Sequence, residues 1–456
     1  MAWRRPRRCA AFLFVAPHSS SDRLIDQTAE HLAALSCRGK PILLGLSGGI
    51  DSVVLLHLLA TLAPRLEFQL SALHVHHGIS AHADEWAQFC LDLCAGYNIK
   101  CKVAQVDIQP LRERLGIEAA ARQLRHAAFA AQNCAFIALA HHADDQAETL
   151  LLQLLRGAGV RGASGMPLAR QQDNRVVIRP LLNVSRAELL DYAQHHALRR
   201  VEDESNRDES YPRNFVRHLV LGLLQEKFPA CRETLARSAQ HFAEAAELLD
   251  ELAARDAVDA IERETLAVDA LSRLSVPRAK NLLRYFLHQC GAPMPQNKQL
   301  EQMLRQLCSA RTDAAVCVQF GNWQVRRFQG RAHLLPLLPP FDSALCLPWQ
   351  EEEAVFWTPL QKELRFSRRK GEGISLCKLQ SDRVTLRLRC GGESLRLHPH
   401  AARRTLKHLF QEWHVPPWQR ERQPLLYCGE KLVCVVGVAV AAEFQAQADE
   451  QSVMVA

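Results

Sequence analysis

The sequence predicts an α/β protein: a Rossmann-like, doubly wound parallel sheet, then a mostly helical domain, then a small α/β C-terminal domain. Three observations predict it. From Pro41 to about Ile178, short apolar runs alternate with amphipathic stretches, the rhythm of βαβ units covered on both faces. From Asn214 to about Cys308, apolar residues recur at helical spacing. After the proline-rich stretch Pro336 to Gln350 the period of two returns, most cleanly at Arg383 to Arg389.

Taken in order, Ile42 to Leu46 reads as a strand buried on both faces, with Ser52 to Leu62 as the helix behind it. Strand Leu70 to Val75 precedes helix Ala81 to Tyr97, and strand Cys101 to Val106 precedes helix Ile117 to Gln132. Strand Ala135 to Ala140 and helix Gln146 to Leu155 complete the series. Helices follow at Cys231 to Leu252, Arg278 to Gln289 and Lys298 to Cys308, then a meander at Ala315 to Leu335 turning at Gly321-Asn322 and Gly330-Arg331. The expected organisation is a basic extension (1–24), a catalytic domain (25–216), a helical domain (217–338), a linker (339–350) and a basic C-terminal domain (351–456).

Composition narrows the function classes. No apolar run approaches the roughly 18 residues that cross a bilayer. The 15 cysteines include no CxxC pair, which argues for reduced thiols and against a disulfide framework or a zinc ribbon. Arg4, Arg5, Arg7 and Arg8 before the apolar run Cys9 to Ala16 imitate a leader peptide; a cytoplasmic protein with a basic extension is expected. Net charge is +7, yet Lys362 to Pro424 alone holds 15 lysines and arginines against 6 acidic residues. Such a local excess suits a polyanion.

Ser47-Gly48-Gly49-Ile50-Asp51-Ser52 lies where the first strand turns into its helix. A glycine-rich turn there presents backbone N–H groups and the positive end of the helix dipole, so phosphate is the natural occupant. Ser47 and Ser52 offer hydroxyls, and Asp51 could hold a Mg²⁺ that binds the phosphates. GxxxxGK[ST] is absent, so this is not a Walker A loop. His74 in Leu73-His74-Val75-His76-His77-Gly78, at the carboxyl end of the second strand, is a candidate to line the nucleotide pocket. Arg122 and Arg125 share a helix face and are candidates for ATP or pyrophosphate oxygens. In His141-His142-Ala143-Asp144-Asp145-Gln146-Ala147-Glu148, Asp145 and Glu148 are i,i+3 neighbours. They could share a cation, bind an ammonium group or take a proton from an amine, while Asp144 or Asp145 could simply cap the helix.

SGGIDS resembles the pyrophosphate (PP) loop of the ATP-pyrophosphatases, which split ATP into AMP and pyrophosphate. With HVHHG, GIEAAARQLRH, AHHADDQAETLLLQLLRGAG, RPLL (Arg179 to Leu182), EDESNRDESYPRNFVRH (Glu202 to His218), GGESLRL (Gly391 to Leu397) and PPWQRERQPLL (Pro416 to Leu426), the chain resembles the tRNA(Ile)-lysidine synthetases. That resemblance implies a ligase forming a carbon–nitrogen bond, with ATP and Mg²⁺ as cofactors and L-lysine and a CAU-anticodon isoleucine tRNA as substrates. The wobble cytidine would be adenylated at O2, and the lysine ε-amine would then displace AMP at C2, giving lysidine and changing codon reading from AUG to AUA. Ser47 to Ser52 would bind ATP, Asp51 and Asp145 would be Mg²⁺ partners, and Asp145 and Glu148 would recognise or deprotonate lysine. Arg122, Arg207 and Arg217 are then phosphate or substrate contacts, and Arg156 and Arg161 shape the pocket for lysine and the extruded cytosine. Arg403, Lys407 and Gln411 would form one i,i+4 stripe toward tRNA phosphates. A homodimer and the absence of membrane partners are further expectations. The alternative within the superfamily is a tRNA 2-thiolation enzyme, which the lack of CxxC pairs disfavours.

Overall fold

A computed structural model describes residues 20–204, 208–311 and 314–456. Two units divide between Leu249 and Asp250. In the first, α1 (Ser20–Ala34) precedes β1 (Pro41–Gly45), α2 (Ile50–Leu66), β2 (Gln69–His76), α3 (Ala83–Gly96) and β3 (Lys100–Gln105). Then come α4 (Gln109–Leu115), α5 (Ile117–Ala130), β4 (Phe136–Ala138), α6 (Ala143–Leu155) and α7 (Val160–Ala163). A hairpin of β5 (Ala169–Gln172) and β6 (Arg175–Ile178) leads to α8 (Arg186–His195), α9 (Pro212–Phe215), a π-helical turn at Val216–Val220, α10 (Leu221–Lys227) and α11 (Cys231–Ala257).

The sheet order is β3-β2-β1-β4-β6-β5. All pairings are parallel except that of β5 with β6. Strand β1 is apolar throughout because both faces are covered, as parallel strands require. Helix α2 likewise buries Leu55, Leu56, Leu58, Leu59 and Leu62 completely, since it lies between the sheet and α1 and α8. Strands β2 and β4 flank β1 with Leu44 opposite Ala72 on one side and Ala138 on the other. The direction of strand progression reverses there, so the loops after β1 and β4 open a crevice at the carboxyl edge of the sheet.

Two local features depart from the sequence pattern. The hairpin β5–β6 is not announced by it, because β5 is an edge strand of largely exposed Arg170 and Gln171. Helix α6 starts at Ala143 and not at Gln146, because Asp144 and Asp145 favour a first turn where the helix dipole is positive.

In the second unit, helices Val268–Arg273, Val276–Gln289 and Asn297–Ser309 share a core with a five-stranded antiparallel sheet whose last three strands, Cys317–Phe320, Trp323–Phe328 and Arg331–Pro336, form the meander. A second core gathers Trp357, Leu386, Phe410 and Leu425 between short sheets. This region is richer in strand than expected, with helices no longer than Leu406–Glu412.

Helix α11 carries the chain across the division between units. The boundary expected at 216/217 falls within the π-helical turn, and the expected linker 339–350 includes strand Cys346–Pro348, paired with Val384–Arg387. Most of the N-terminal extension lies outside the described residues. No described helix is long and apolar enough to cross a membrane, and no disulfide joins the described cysteines.

Candidate active site

The loop between β1 and α2 is tied to itself. Ser47 N donates to Ser52 Oγ at 3.2 Å, the two hydroxyls lie 3.1 Å apart, Gly49 N donates to Ser47 Oγ at 3.3 Å, and Ser52 Oγ donates to the Gly49 carbonyl at 2.9 Å. Gly48 needs to be glycine on two grounds. Its φ is +88°, and a Cβ would meet Val201 at 2.7 Å. Val201 N donates to the Gly48 carbonyl at 3.0 Å, fastening the loop to the segment after α8. Ile50 is buried beneath, while Ser47 faces solvent.

Asp51 opens α2 toward β4. Its Oδ1 is buried without a hydrogen-bond partner, and its Oδ2 lies 3.7 Å from His142 Nε2. His142 stands among three carboxylates, with Asp145 Oδ2 at 3.6 Å and Asp144 Oδ1 at 3.8 Å. Burial opposes its protonation, but the nearby carboxylates of Asp51, Asp145 and Asp144 prevail, so its pKa is raised.

Asp145 and Glu148 project together from the first turns of α6, and both are buried. Arg213 Nε donates to Glu148 Oε2 at 2.8 Å and its Nη2 to Asp145 Oδ1 at 2.9 Å. Arg217 Nε donates to Glu148 Oε1 at 2.5 Å, and its Nη2 reaches Glu148 Oε2 at 3.0 Å and Asp145 Oδ1 at 3.1 Å. Asp145 Oδ2 accepts from the His142 backbone N–H at 3.0 Å. Burial would raise the Asp145 pKa, but His142, Arg213, His141 and that backbone bond hold it below the ordinary carboxylate value. Asp144 is occupied elsewhere: it accepts from Arg186 N at 3.0 Å and pairs with Arg232 at 3.2 Å.

These bonds bear on two assignments made from the sequence. Arg217, expected at a phosphate or substrate, spends its guanidinium on Glu148 and Asp145. Asp145, expected at Mg²⁺, has both oxygens engaged, and no group of three or more His, Cys, Asp or Glu arranged to hold a metal occurs among the described residues. Asp51 does fit Mg²⁺, since its buried Oδ1 lacks a partner; one carboxylate with substrate phosphates and water is a usual environment for that ion.

His74 does not face an open pocket. It is buried, with Nδ1 3.0 Å from the Leu46 carbonyl, and burial lowers its pKa although the Leu46 bond opposes this. It supports the strand end from which the loop departs. After β4 and β2 respectively, His141 and His77 are both pushed down to about 4 by burial and nearby charge. The positive charges acting on His141 are Arg179, Arg213 and Arg122; Arg125 acts on His77. Arg179 is lowered to about 10 by burial, then by Arg170 and Arg122. Two neutral imidazoles thus sit within a group of arginines, an environment that an anion would stabilise.

The remaining candidates are not gathered here. Arg156 caps the far end of α6, about 16 Å along the axis from Asp145 by helical rise. Arg161 is exposed on α7, and Arg207 lies outside the described residues. Arg403 and Lys407 belong to the second unit. The helix there begins at Leu406, so the expected stripe from Arg403 through Lys407 to Gln411 is broken, and Arg403 pairs instead with Glu443 at 2.8 Å. Leu406, Leu409 and Phe410 are buried as the apolar spacing predicts.

His142 and Arg179 are functional candidates that reasoning from sequence did not single out, whereas Arg213, with Arg207 and Arg217, reads from its spacing either as a guanidinium for an unstacked base or as part of a salt-bridged helix start. The signal for Arg213 was present: carboxylates at i,i+3 on one helix match arginines at i,i+4 on another.

Comparison with known proteins agrees with this geometry. Residues 20–224 match the PP-loop domain, 266–333 the TilS substrate binding domain and 384–456 the TilS substrate C-terminal domain. A tRNA(Ile)-lysidine synthase of Nitrosomonas europaea is 41% identical over 92% of each chain. That of Ralstonia nicotianae is 40% identical, over 91% of this chain and 93% of its own. That of Coxiella burnetii is 38% identical, over 89% of this chain and 90% of its own. With its crevice, its phosphate loop and this end-to-end likeness, the chain belongs to the tRNA(Ile)-lysidine synthase family.

Proposed function

We propose that the chain ligates L-lysine to C2 of the wobble cytidine of an isoleucine tRNA with a CAU anticodon, using ATP. The observation that carries this reading is the self-bonded Ser47–Ser52 loop with the unpartnered Asp51 oxygen beside it, in a chain of this family. Cytosine O2 attacks the α-phosphorus and pyrophosphate leaves. The lysine ε-nitrogen then attacks C2, losing a proton, and AMP departs with the former O2.

Backbone N–H groups of the loop and the hydroxyl of Ser47 hold phosphate oxygens, and Gly48 lets the main chain approach them. Mg²⁺ would supply charge neutralisation on the phosphates, with Asp51 as its protein ligand. Arg122, Arg125 and Arg179 draw the leaving pyrophosphate to their side of the crevice. Neutral His141 and His77 add polar ring atoms there without adding charge. Asp145 and Glu148 meet the ammonium charge of lysine only as Arg213 or Arg217 yields its bonds to them. Because Asp145 is held below the ordinary carboxylate range, it is a poor proton acceptor, and charge recognition suits the pair better than base catalysis. The substrates and ATP place the reaction in the cytoplasm.

Thiolation of the same base is disfavoured by Cys90, the cysteine packed beneath the loop. Burial pushes its thiol up to about 12, leaving it protonated and inert. The test is incorporation of labelled lysine into a CAU-anticodon isoleucine tRNA transcript with ATP. Label in that transcript and not in a methionine tRNA is expected; no label, or equal label in both, defeats the proposal.

A further inference from the structure

The second unit contains a cavity of about 320 Å³ between the meander and the segment Pro416 to Leu426, a motif that the ATP chemistry leaves unused. Its walls include Gln319, Arg326, Leu337, Trp418, Gln419 and Arg422. No carboxylate lines it. Its volume is at the lower end of the range that holds small organic ligands.

Both arginines are fixed before any ligand arrives. Arg326 donates from Nε to Gln324 Oε1 at 2.9 Å and lies 5.5 Å from the Trp418 ring centre. Arg422 donates to the carbonyls of Pro359 at 2.5 Å and Pro339 at 3.1 Å, and lies 4.4 Å from the Phe341 ring centre. They are near enough that, after burial, Arg326 helps to hold Arg422 below its ordinary pKa, with exposed Glu421 opposing. Trp418 is held edge-on by Phe328 at 5.9 Å and His333 at 5.4 Å. Gln319 and Gln419 are exposed at the rim.

Two anchored cations on a wall shared with an indole and leucines call for a ligand with a flat apolar part and a negative charge. We infer that this cavity receives one unpaired nucleotide of the RNA substrate, its base against Trp418 and its phosphate between Arg326 and Arg422. Stacking of a base on an aromatic ring beside a cation is how unpaired RNA is generally held. The rim glutamines offer amides to the base edge. The 15-to-6 basic excess of Lys362 to Pro424, in which Trp418 and Arg422 lie, supplies the field that brings RNA there.

The inference rests on tRNA being the substrate, so its test separates the two. With the full chain, the exposed double variant Gln319→Glu, Gln419→Glu breaks no bond of the fold and puts negative charge at the rim. It should raise KM for tRNA about tenfold while kcat and KM for ATP stay within twofold. Trp418→Ala should do the same, and Trp418→Phe, which keeps a stacking face, should recover most of the loss. Wild-type KM for tRNA in the double variant and in Trp418→Ala overturns the inference. Filter binding of tRNA to the same variants needs no lysine transfer. If the wild-type chain transfers no lysine, the proposed function fails, and tenfold weaker binding by the variants still supports the cavity. Competition against bound tRNA by a single-stranded RNA tetramer, but not by AMP at equal concentration, is expected; equal competition by AMP overturns the assignment to RNA.

Discussion

The loop at Ser47 and the carboxylates of α6 are both acidic stretches that follow a strand and open a helix, yet they are held in opposite ways. In the loop the side-chain hydrogen bonds are local, between residues no more than five apart, one backbone bond from Val201 fastens Gly48, and Asp51 keeps an oxygen without a partner. On α6, the Asp145 and Glu148 carboxylates accept five hydrogen bonds from the Arg213 and Arg217 guanidiniums, 65 to 72 residues distant. The first arrangement leaves capacity for a ligand; the second uses its charge to hold the fold. A carboxylate in a crevice is thus not defined by position alone. What distinguishes the two is which oxygens the protein has already satisfied.

That contrast can be broken by substitution. Asp51→Asn should cut pyrophosphate release with tRNA and ATP by about 100-fold or more, as loss of a group acting on transferring phosphate does, while the melting temperature stays put. A large fall in melting temperature would show that Asp51 is structural after all. Glu148→Gln should reverse the balance: removing one partner of a buried pair costs about 3 kcal/mol, read as a lower denaturant midpoint for the first unit. An unchanged midpoint would mean that the arginine bonds contribute nothing to stability.

Two adjacent histidines sharpen the comparison through pH. His141 is lowered to about 4, so below pH 6.5 the unfolded chain takes a proton that the folded one refuses, and stability falls as pH drops toward 4. His142 is raised, so its contribution is fully present below 6.5 and is lost as pH climbs through its folded pKa. His141→Gln should therefore flatten the acid side of the stability profile, and His142→Gln the side above 6.5. Identical profiles for the two variants would refute the opposed environments. The smallest effect is expected from Arg403→Ala. Its pair with Glu443 is exposed, so stability should change by less than about 0.5 kcal/mol, and the salt dependence of tRNA binding should lose roughly one unit of slope. A stability loss matching Glu148→Gln would remove the distinction between buried and exposed pairs.

What could be read from the sequence follows the same division. The loop's chemistry is contiguous, so glycines, hydroxyls and Asp51 announced themselves, and β1 with α2 was plain from continuous apolar runs. The carboxylates of α6 were visible, but their pairing with Arg213 and Arg217 was not, because pairing over 65 residues depends on how α9 and the π-helical turn pack against α6. The edge strand β5 was hidden since its residues face solvent. Arg403 was read as helical because its spacing to Lys407 is right, although the chain is still extended at Arg404–Thr405.

The π-helical turn at Val216–Val220 has a consequence for insertions and deletions. Such a turn holds one residue more than regular α-helix needs. Delete one residue there and the helix can close into α geometry with its flanks still in phase, whereas a deletion in α10 would turn whatever precedes it by roughly 100°. Arg213 would keep its place at the carboxylates in the first case, and both arginines would leave them in the second. The extra residue in this turn thus gives the segment a tolerance to shortening that the regular helix after it lacks.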